Sequence, residues 1–430
     1  MLKVPYVTGY LSEHFGDDGF GTLSGYEARG GYRGLRQALD TSPEDLIELL
    51  KSSGLQGRGG AGFSAGMKWS FMPTDSDRPK YLVCNADESE PGSFKDRILL
   101  ERAPHQIVEG ILIAAWATGA EKTFIYIRGE YAFPADQVDR AVAEARERGY
   151  LGAKVMGKDF AHEIVVTRGA GAYICGEETG LLESLEGKKG LPRKKPPFPA
   201  QYGAFGMPTT VNNVETFSHV PHIVCKGADW FRGFGTEKSP GTTLFGVSGQ
   251  VQRPGLFELP LGTPLDEIIF EHAAGLLEDR PVKGVIPGGM SMPILPANQL
   301  DVPMANEFLR ERKTMLGTGG IMVMDDTTCM VRVACVISYF FRDESCGQCT
   351  QCREGTGWMN SIVERIERGA GEQSDLDILL DVAGKMEGQT ICAFSDAAAW
   401  PIQGLLRHFR EDFEAHIRGK KCPFPGSFEL

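Results

Sequence analysis

YLVCNADESEPG (residues 81–92) sets a short apolar run directly before an acidic turn that ends on glycine. Tyr81 to Asn85 reads as a buried strand, so Asn85, Asp87, Glu88 and Glu90 stand beyond its carboxyl end. Thr123 to Ile127 and Glu163 to Thr167 have the same character, and amphipathic helical patterns fill the intervals near Pro104 to Thr118 and Pro134 to Arg148. This alternation predicts parallel strands with helices packed on the sheet, a doubly wound α/β domain over residues 1–240. Ligands of such sheets bind beyond the carboxyl ends of the strands. A second glycine-flanked acidic turn, GAGAYICGEE (169–178), follows the third strand.

Upstream, GLQGRGGAGFSAGMKW (54–69) offers backbone amides that can approach a phosphate or a flat ring closely, and Lys68 adds a positive charge. Gly57, Gly59 and Gly62 satisfy G-x-G-x-x-G, but a helical pattern, Pro43 to Ser52, precedes them where a dinucleotide-binding fold requires a strand. A mobile glycine loop is an equal reading of this segment.

Downstream, the stretch 233–241 divides the chain. TTLFGVSGQVQRPGLFELP (242–260) reads as two strands around a turn-rich centre, followed by a helix from Pro264 to Ala274 and short strands up to Met324. This predicts an α+β module over residues 241–325. From Asp326 helical patterns dominate, at Thr328–Phe341, Gly355–Arg368, Ser374–Met386 and Ser395–His416, which predicts a small four-helix bundle over residues 326–430.

That last region carries the strongest chemical signal, Cys346-Gly-Gln-Cys349-Thr-Gln-Cys352, with Cys392 further on. Three thiolates so spaced converge on neighbouring corners of a cubane cluster, and a distant cysteine completes the set. A structural zinc site more often uses two Cys-x-x-Cys pairs, and zinc or a redox thiol group is the competing reading. Spacing alone leaves the fourth ligand open between Cys392 and Cys422. Cys84, Cys175, Cys225, Cys329, Cys335 and Cys422 are scattered singly, as small buried apolar residues are.

The 57 acidic against 45 basic residues give a net charge of -12, which disfavours nucleic acid as a partner. KKGLPRKK (188–195) is a local exception, either a solvated loop or a site for a phosphate-bearing ligand. Ile107 to Ala120, the longest apolar stretch, is interrupted by Glu109 and is shorter than the roughly 20 residues of a membrane helix. The first residues show neither a signal-peptide nor a presequence pattern, so a cytoplasmic or already processed protein is expected.

GRGGAGF (57–63), CNADESEPG (84–92), GAGAYICGEET (169–179), NNVET (212–216) and ESCGQCTQCREG (344–355) together resemble the signature segments of the flavoprotein subunit of respiratory complex I. The resemblance runs from about Gly30 to Phe409. It implies a Rossmann-like domain holding FMN, a ubiquitin-like module (a soluble ligand binding β-grasp) and a four-helix bundle holding a [4Fe-4S] cluster. FMN would be held by Gly57, Gly59, Lys68, Asn85, Asp87, Glu88, Tyr173, Gly176, Glu177, Asn212, Asn213 and Thr216. NADH, the substrate, would set its adenine among Phe63, Phe71 and Phe198, with Glu90 and Glu178 near the nicotinamide end and the basic loop at the entrance. Cys346, Cys349, Cys352 and Cys392 would ligate the cluster.

The implied activity is that of an NADH dehydrogenase subunit: hydride passes from NADH to FMN, and single electrons pass to the cluster and on towards quinone in a proton-translocating complex. No acid, base or nucleophile of the protein is needed for hydride transfer. The implied partners are a thioredoxin-like [2Fe-2S] subunit and the large iron-sulfur subunit, which place the chain on the inner face of the bacterial plasma membrane, or the matrix side in mitochondria, with membrane contact only through the complex. Similar flavin subunits serve NAD-linked hydrogenases and formate dehydrogenases, so a diaphorase subunit is the alternative.

Overall fold

Alternation along one strand sets the layers of the first half of the molecule. In β1 (Tyr81–Ala86), Leu82, Cys84 and Ala86 join one apolar core while Val83 joins another on the opposite face. The computed structural model describes residues 9–74 and 76–424, so residues 1–8 of the expected first domain and 425–430 of the third lie outside the described residues. Four short helices, α1 (Leu23–Ala28), α2 (Arg33–Leu39), α3 (Pro43–Ser53) and α4 (Ala65–Ser70), precede β1. The chain continues through α5 (Lys95–Arg102), α6 (Pro104–Thr118), β2 (Lys122–Ile127), α7 (Ala132–Glu147), β3 (Glu163–Arg168), α8 (Glu178–Leu185), β4 (Thr209–Asn213), α9 (Val214–Lys226) and α10 (Ala228–Arg232). The strands form a parallel sheet in the order β3-β2-β1-β4.

The sequence reading found β1, β2 and β3 but missed β4. Thr209, Thr210, Asn212 and Asn213 look like turn residues, yet β4 pairs with β1 from Tyr81↔Thr209 to Asn85↔Asn213. Side-chain bonds offset part of the burial of its polar groups: the Thr209 hydroxyl accepts from Ala204 N–H at 2.9 Å and donates to Met207 C=O at 2.9 Å, while the buried Thr210 hydroxyl has no partner.

Helix α6 starts on Pro104, stops at Gly119 in the left-handed region (φ 67°), and is buried nearly all round. Glu109, the charge that interrupts its apolar run, is 1% exposed. It caps α2 from across the core, accepting Tyr32 N–H at 2.8 Å and Leu35 N–H at 2.9 Å, where the positive end of the helix favours a carboxylate.

The second unit is a mixed sheet in the order β6-β5-β9-β7-β8. It is built from β5 (Thr242–Gly249), β6 (Gly255–Pro260), the short α11 (Leu265–Glu267), β7 (Val282–Ile286), β8 (Leu295–Pro296), α12 (Asn306–Glu311) and β9 (Gly320–Asp325). The helix expected from Pro264 to Ala274 is shorter: α11 widens into a π turn over Ile268–His272 and the chain leaves through Ala274 (φ 64°) and Gly275.

The last region holds α13 (Met330–Glu344), α14 (Thr350–Glu367), α15 (Ser374–Met386) and α16 (Phe394–Gly419). α13 packs on α14 and α16, and α15 also packs on α14 and α16. α14 begins before the expected Gly355, so Cys349 stands at its cap and Cys352 within its first turn. One apolar core runs without a break from Val83 and Tyr126 on the first sheet to Met359 and Phe394 in this region, and so presses the helices against the sheet. No described helix is long and apolar enough to cross a membrane.

Replacing Glu109 by leucine leaves two buried amides without an acceptor, at a cost of about 1–3 kcal/mol each. The expected outcome is a thermal midpoint lower by several degrees, with a smaller loss for Glu109→Gln, which keeps an acceptor oxygen. Equal midpoints for wild type and Glu109→Leu would remove Glu109 from this role.

Candidate functional site

The glycine loop is held at both ends by its own backbone. α3 stops at Gly54 (φ 71°), Gln56 and Ser64 form an antiparallel bridge, and Gly57 N–H donates to Phe63 C=O at 2.8 Å. Gly60 and Gly62 adopt φ of 112° and 68°, values that side chains resist. A Cβ on Gly59 would come within 3.1 Å of the Asn213 Cβ, so its bare backbone keeps the cleft open. Arg58 turns inward: its N–H reaches the Thr216 hydroxyl at 2.9 Å and its guanidinium donates to Pro240 C=O and Thr242 C=O at 3.0 and 3.1 Å. Trp69 Nε1 donates to Asn212 Oδ1 at 2.9 Å and ties α4 to the end of β4.

The loop faces the carboxyl ends of the strands across a cleft of about 1390 Å³. This exceeds the roughly 300–1,000 Å³ of a single small-molecule pocket. Every residue expected around FMN and NADH lines this one cleft, and so does Cys392.

Some expected residues spend their side chains on the protein. Both Glu88 oxygens are engaged, accepting from Asp96 N–H, Arg97 N–H and the Tyr131 hydroxyl at 3.0, 2.9 and 3.1 Å, which caps α5. Glu177 caps α8 through Thr179 N–H and Gly180 N–H at 2.8 and 2.9 Å. Glu90 accepts from the Tyr173 hydroxyl and from Ser291 N–H, both at 2.7 Å, and so joins the first sheet to the second unit. Asn85 donates to Gly176 C=O at 2.8 Å and brings two strand ends together.

Others present chemistry to the cleft. Lys68 and Lys195 grip Glu178 at 2.9 and 2.5 Å. Burial pushes that carboxyl up, but the two ammonium groups outweigh it and hold it at about 2. Asp87 is buried, its Oδ2 has no hydrogen-bond partner, and burial raises its pKa to about 7 against the pull of Arg128. Phe63, Phe71 and Phe198 are 52%, 53% and 55% exposed, so three large aromatics stand uncovered at one rim.

Sequence reading missed the charges beneath the cleft. Lys95, 2% exposed, pairs with Asp96 at 2.8 Å and Glu215 at 2.9 Å and donates to Asn213 Oδ1 at 3.3 Å. Lys-Asp at a helix start looks solvated, and no local pattern in the sequence marks this pair as buried.

Cys346 and Cys349 lie on the link from α13 to α14, Cys352 in the first turn of α14 and Cys392 just before α16, and all four belong to or pack against one apolar core. Burial pushes the thiols of Cys352 and Cys392 up to about 11 and about 12, and negative charge on neighbouring thiols pushes both further. For Cys352 those neighbours are Cys346 and Cys349, and for Cys392 they are Cys346 and Cys352. A cation between neighbouring thiolates relieves their mutual repulsion, so the donor set fits a metal-sulfur cluster. Cys422, which spacing left open as the fourth ligand, lies instead beside Cys329 and His416.

Residues 50–222 match the Nuo51 FMN-binding domain, residues 244–295 the SLBB domain and residues 332–416 the NADH-ubiquinone oxidoreductase-F iron-sulfur binding region. An NADH-quinone oxidoreductase F subunit of Rhizobium meliloti is 53% identical over 403 residues, 94% of this chain and 96% of the relative. The F subunit of the Mycobacterium tuberculosis enzyme is 47% identical over 425 residues, covering 97% and 95%. Among solved structures, an NAD+-reducing [NiFe]-hydrogenase in the air-oxidized state is similar at a TM-score of 0.82 and 38% identity, over 95% of this chain and 67% of that one. Its H2-reduced state gives 0.84 and 36%, over 97% and 68%.

Asp87 sets a pH dependence. With its pKa raised from 3.8 to about 7, the folded flavin-free chain holds a proton that the unfolded chain has lost, so this contribution is complete below pH 4 and disappears as pH rises through 7. The midpoint of Asp87→Asn relative to wild type is expected to climb between about pH 4 and pH 7 and level off above. A constant difference across that range in thermal scans would contradict this assignment.

Proposed function

The chain belongs to the family of NADH-quinone oxidoreductase F subunits, with an FMN-binding domain and a [4Fe-4S]-binding region, and from this premise we propose that it is the electron-input subunit of a proton-translocating NADH:quinone oxidoreductase. The observation that carries the reading is the shared cleft: the residues expected around the flavin, those expected around NADH, and Cys392 all line it. Flavin supplies the exchange between two-electron hydride chemistry and one-electron transfer, and the cluster takes electrons singly.

The residues of the chain position these groups. Gly57, Gly59 and Gly176 would offer bare backbone to the flavin, Asn85, Asn212, Asn213, Thr216 and Lys68 would supply polar groups to it, and Glu88, Tyr173 and Glu177 fix the surrounding turns. Asp87 Oδ2, otherwise unpaired, would be free to hydrogen-bond to it. Phe63, Phe71 and Phe198 would stack on the adenine of NADH and Glu178 would lie at its nicotinamide half, with Glu90 holding Tyr173 and Ser291 at that end of the cleft. Cys346, Cys349, Cys352 and Cys392 ligate the cluster. The Rossmann-like, ubiquitin-like and four-helix units span 1–240, 241–325 and 326–430. A thioredoxin-like [2Fe-2S] subunit and the large iron-sulfur subunit carry electrons onward, which sets the chain at the inner face of the plasma membrane.

Aromatic stacking is worth about 1 kcal/mol, so Phe71→Ala and Phe198→Ala are each expected to raise the KM for NADH about five-fold with kcat preserved. A collapsed kcat at unchanged KM would move these rings to the flavin. Cys392→Ala is expected to lose the iron-sulfur absorbance and keep the flavin. The isolated chain is expected to reduce ferricyanide with NADH but to reduce a hydrophobic quinone slowly until the other iron-sulfur subunits and the membrane arm are added. Fast inhibitor-sensitive quinone reduction by the chain alone overturns the reading, and co-purification with hydrogenase subunits would favour the diaphorase alternative.

A further inference from the structure

A second donor set lies at the end of the helical region away from the cluster thiols. Cys329 caps the start of α13, Glu367 closes α14, His416 lies in the last turn of α16, and Cys422 follows that helix. α13 has 15 residues, so about 22 Å separates Cys329 from the end where Cys346 lies. One ligand atom from each of the four residues falls within 4.8 Å of all the others. His416 Nε2 is 3.4 Å from Cys329 Sγ and 3.2 Å from Glu367 Oε2, and Cys329 Sγ is 4.0 Å from that oxygen. The edges of a zinc tetrahedron with sulfur, nitrogen and oxygen corners are roughly 3.4–3.8 Å, which these separations bracket.

The surroundings aim the donors inward. His416 Nδ1 donates to Asp412 C=O at 2.7 Å, which fixes the proton there and leaves the Nε2 lone pair facing the other three. Arg332 Nε occupies Glu367 Oε1 at 2.7 Å and leaves Oε2 to the site. Cys329 and His416 are 1% and 0% exposed. A His416–Glu367 ion pair accounts for two of the four groups and gives no reason for two sulfurs. A disulfide accounts for the sulfurs and gives no reason for an imidazole and a carboxylate at the same point.

We propose that Cys329, Glu367, His416 and Cys422 bind one zinc ion, separate from the iron-sulfur cluster. Two thiolates, an imidazole and a carboxylate fill a tetrahedron and leave no open position, so the site is structural. Two thiolates and one carboxylate exceed the charge of the ion by one, and the Arg332 guanidinium lies where that excess falls. The ion clips the start of α13 to the ends of α14 and α16 and pins the tail that follows.

The test is metal analysis of the purified holoprotein together with its flavin and iron-sulfur absorbance, readouts that do not depend on NADH oxidation. The expected result is about one zinc per chain in addition to iron, with an X-ray absorption edge fitted by two sulfurs at about 2.3 Å and two nitrogen or oxygen neighbours at about 2.0–2.2 Å. Cys422→Ser and Glu367→Gln are each expected to lose the zinc and lower the thermal midpoint while flavin and iron stay at wild-type content. If a variant fails to fold, wild-type metal content with and without added zinc chloride decides. Zinc at background after that incubation, a Cys329–Cys422 disulfide in the non-reduced protein, zinc retained in Cys422→Ser, or loss of iron-sulfur absorbance in that variant would each overturn the proposal.

Discussion

A charge that cannot reach water organises the floor of the cleft. Taking the Lys95 ammonium and its two carboxylates out of solvent costs several kcal/mol per ion, which only close pairing recovers. Lys95 therefore holds Asp96 and Glu215 at hydrogen-bonding distance, and with them α5 and α9 beneath the strand ends. Glu215 also accepts from the Thr243 hydroxyl at 2.9 Å and Leu244 N–H at 3.0 Å, the start of the second sheet. Despite complete burial, Lys95 above all keeps the Glu215 carboxyl well below its usual range. Displacing any of these groups strands a charge in the interior, so the cluster fixes how the first sheet, the glycine loop and the second unit meet.

Arg58 and Glu90 do the same work from other directions. Arg58 carries the glycine loop to Pro240 and Thr242, and Glu90 carries the end of β1 to Ser291. The polar groups that look in sequence like ligand contacts divide into those that build the cleft, such as Glu88 and Glu90, and those left to face it, such as Asp87 Oδ2 and the three exposed phenylalanines.

The parts of the fold legible in the sequence were those where one local pattern decides the outcome. Tyr81 to Asn85 is apolar and short, and it is a strand; Pro104 to Thr118 has a proline start and a glycine stop, and it is a helix. β4 was not legible because its asparagines are satisfied by partners distant in the chain, Trp69 for Asn212 and Asp96 for Asn213. Lys95 was hidden for the same reason, since a buried lysine and a solvated one read identically until Glu215 is brought beside it. Spacing could not tell that Cys392 lines the cleft while Cys422 lies beside Cys329 and His416, because which end of the helices each thiol reaches is a fact of packing.

The strand order has a kinetic side. β4 docks beside β1 only after the chain has passed through β2 and β3 and returned, so it is the pairing with the longest detour and the largest loop-closure cost. Asn212 and Asn213 arrive with that strand, and Thr216 follows on α9. Until they arrive the cleft has one wall missing. A chain in which β4 has not docked therefore lacks a wall of the cleft, and occupancy of the cleft reports that the first sheet is complete.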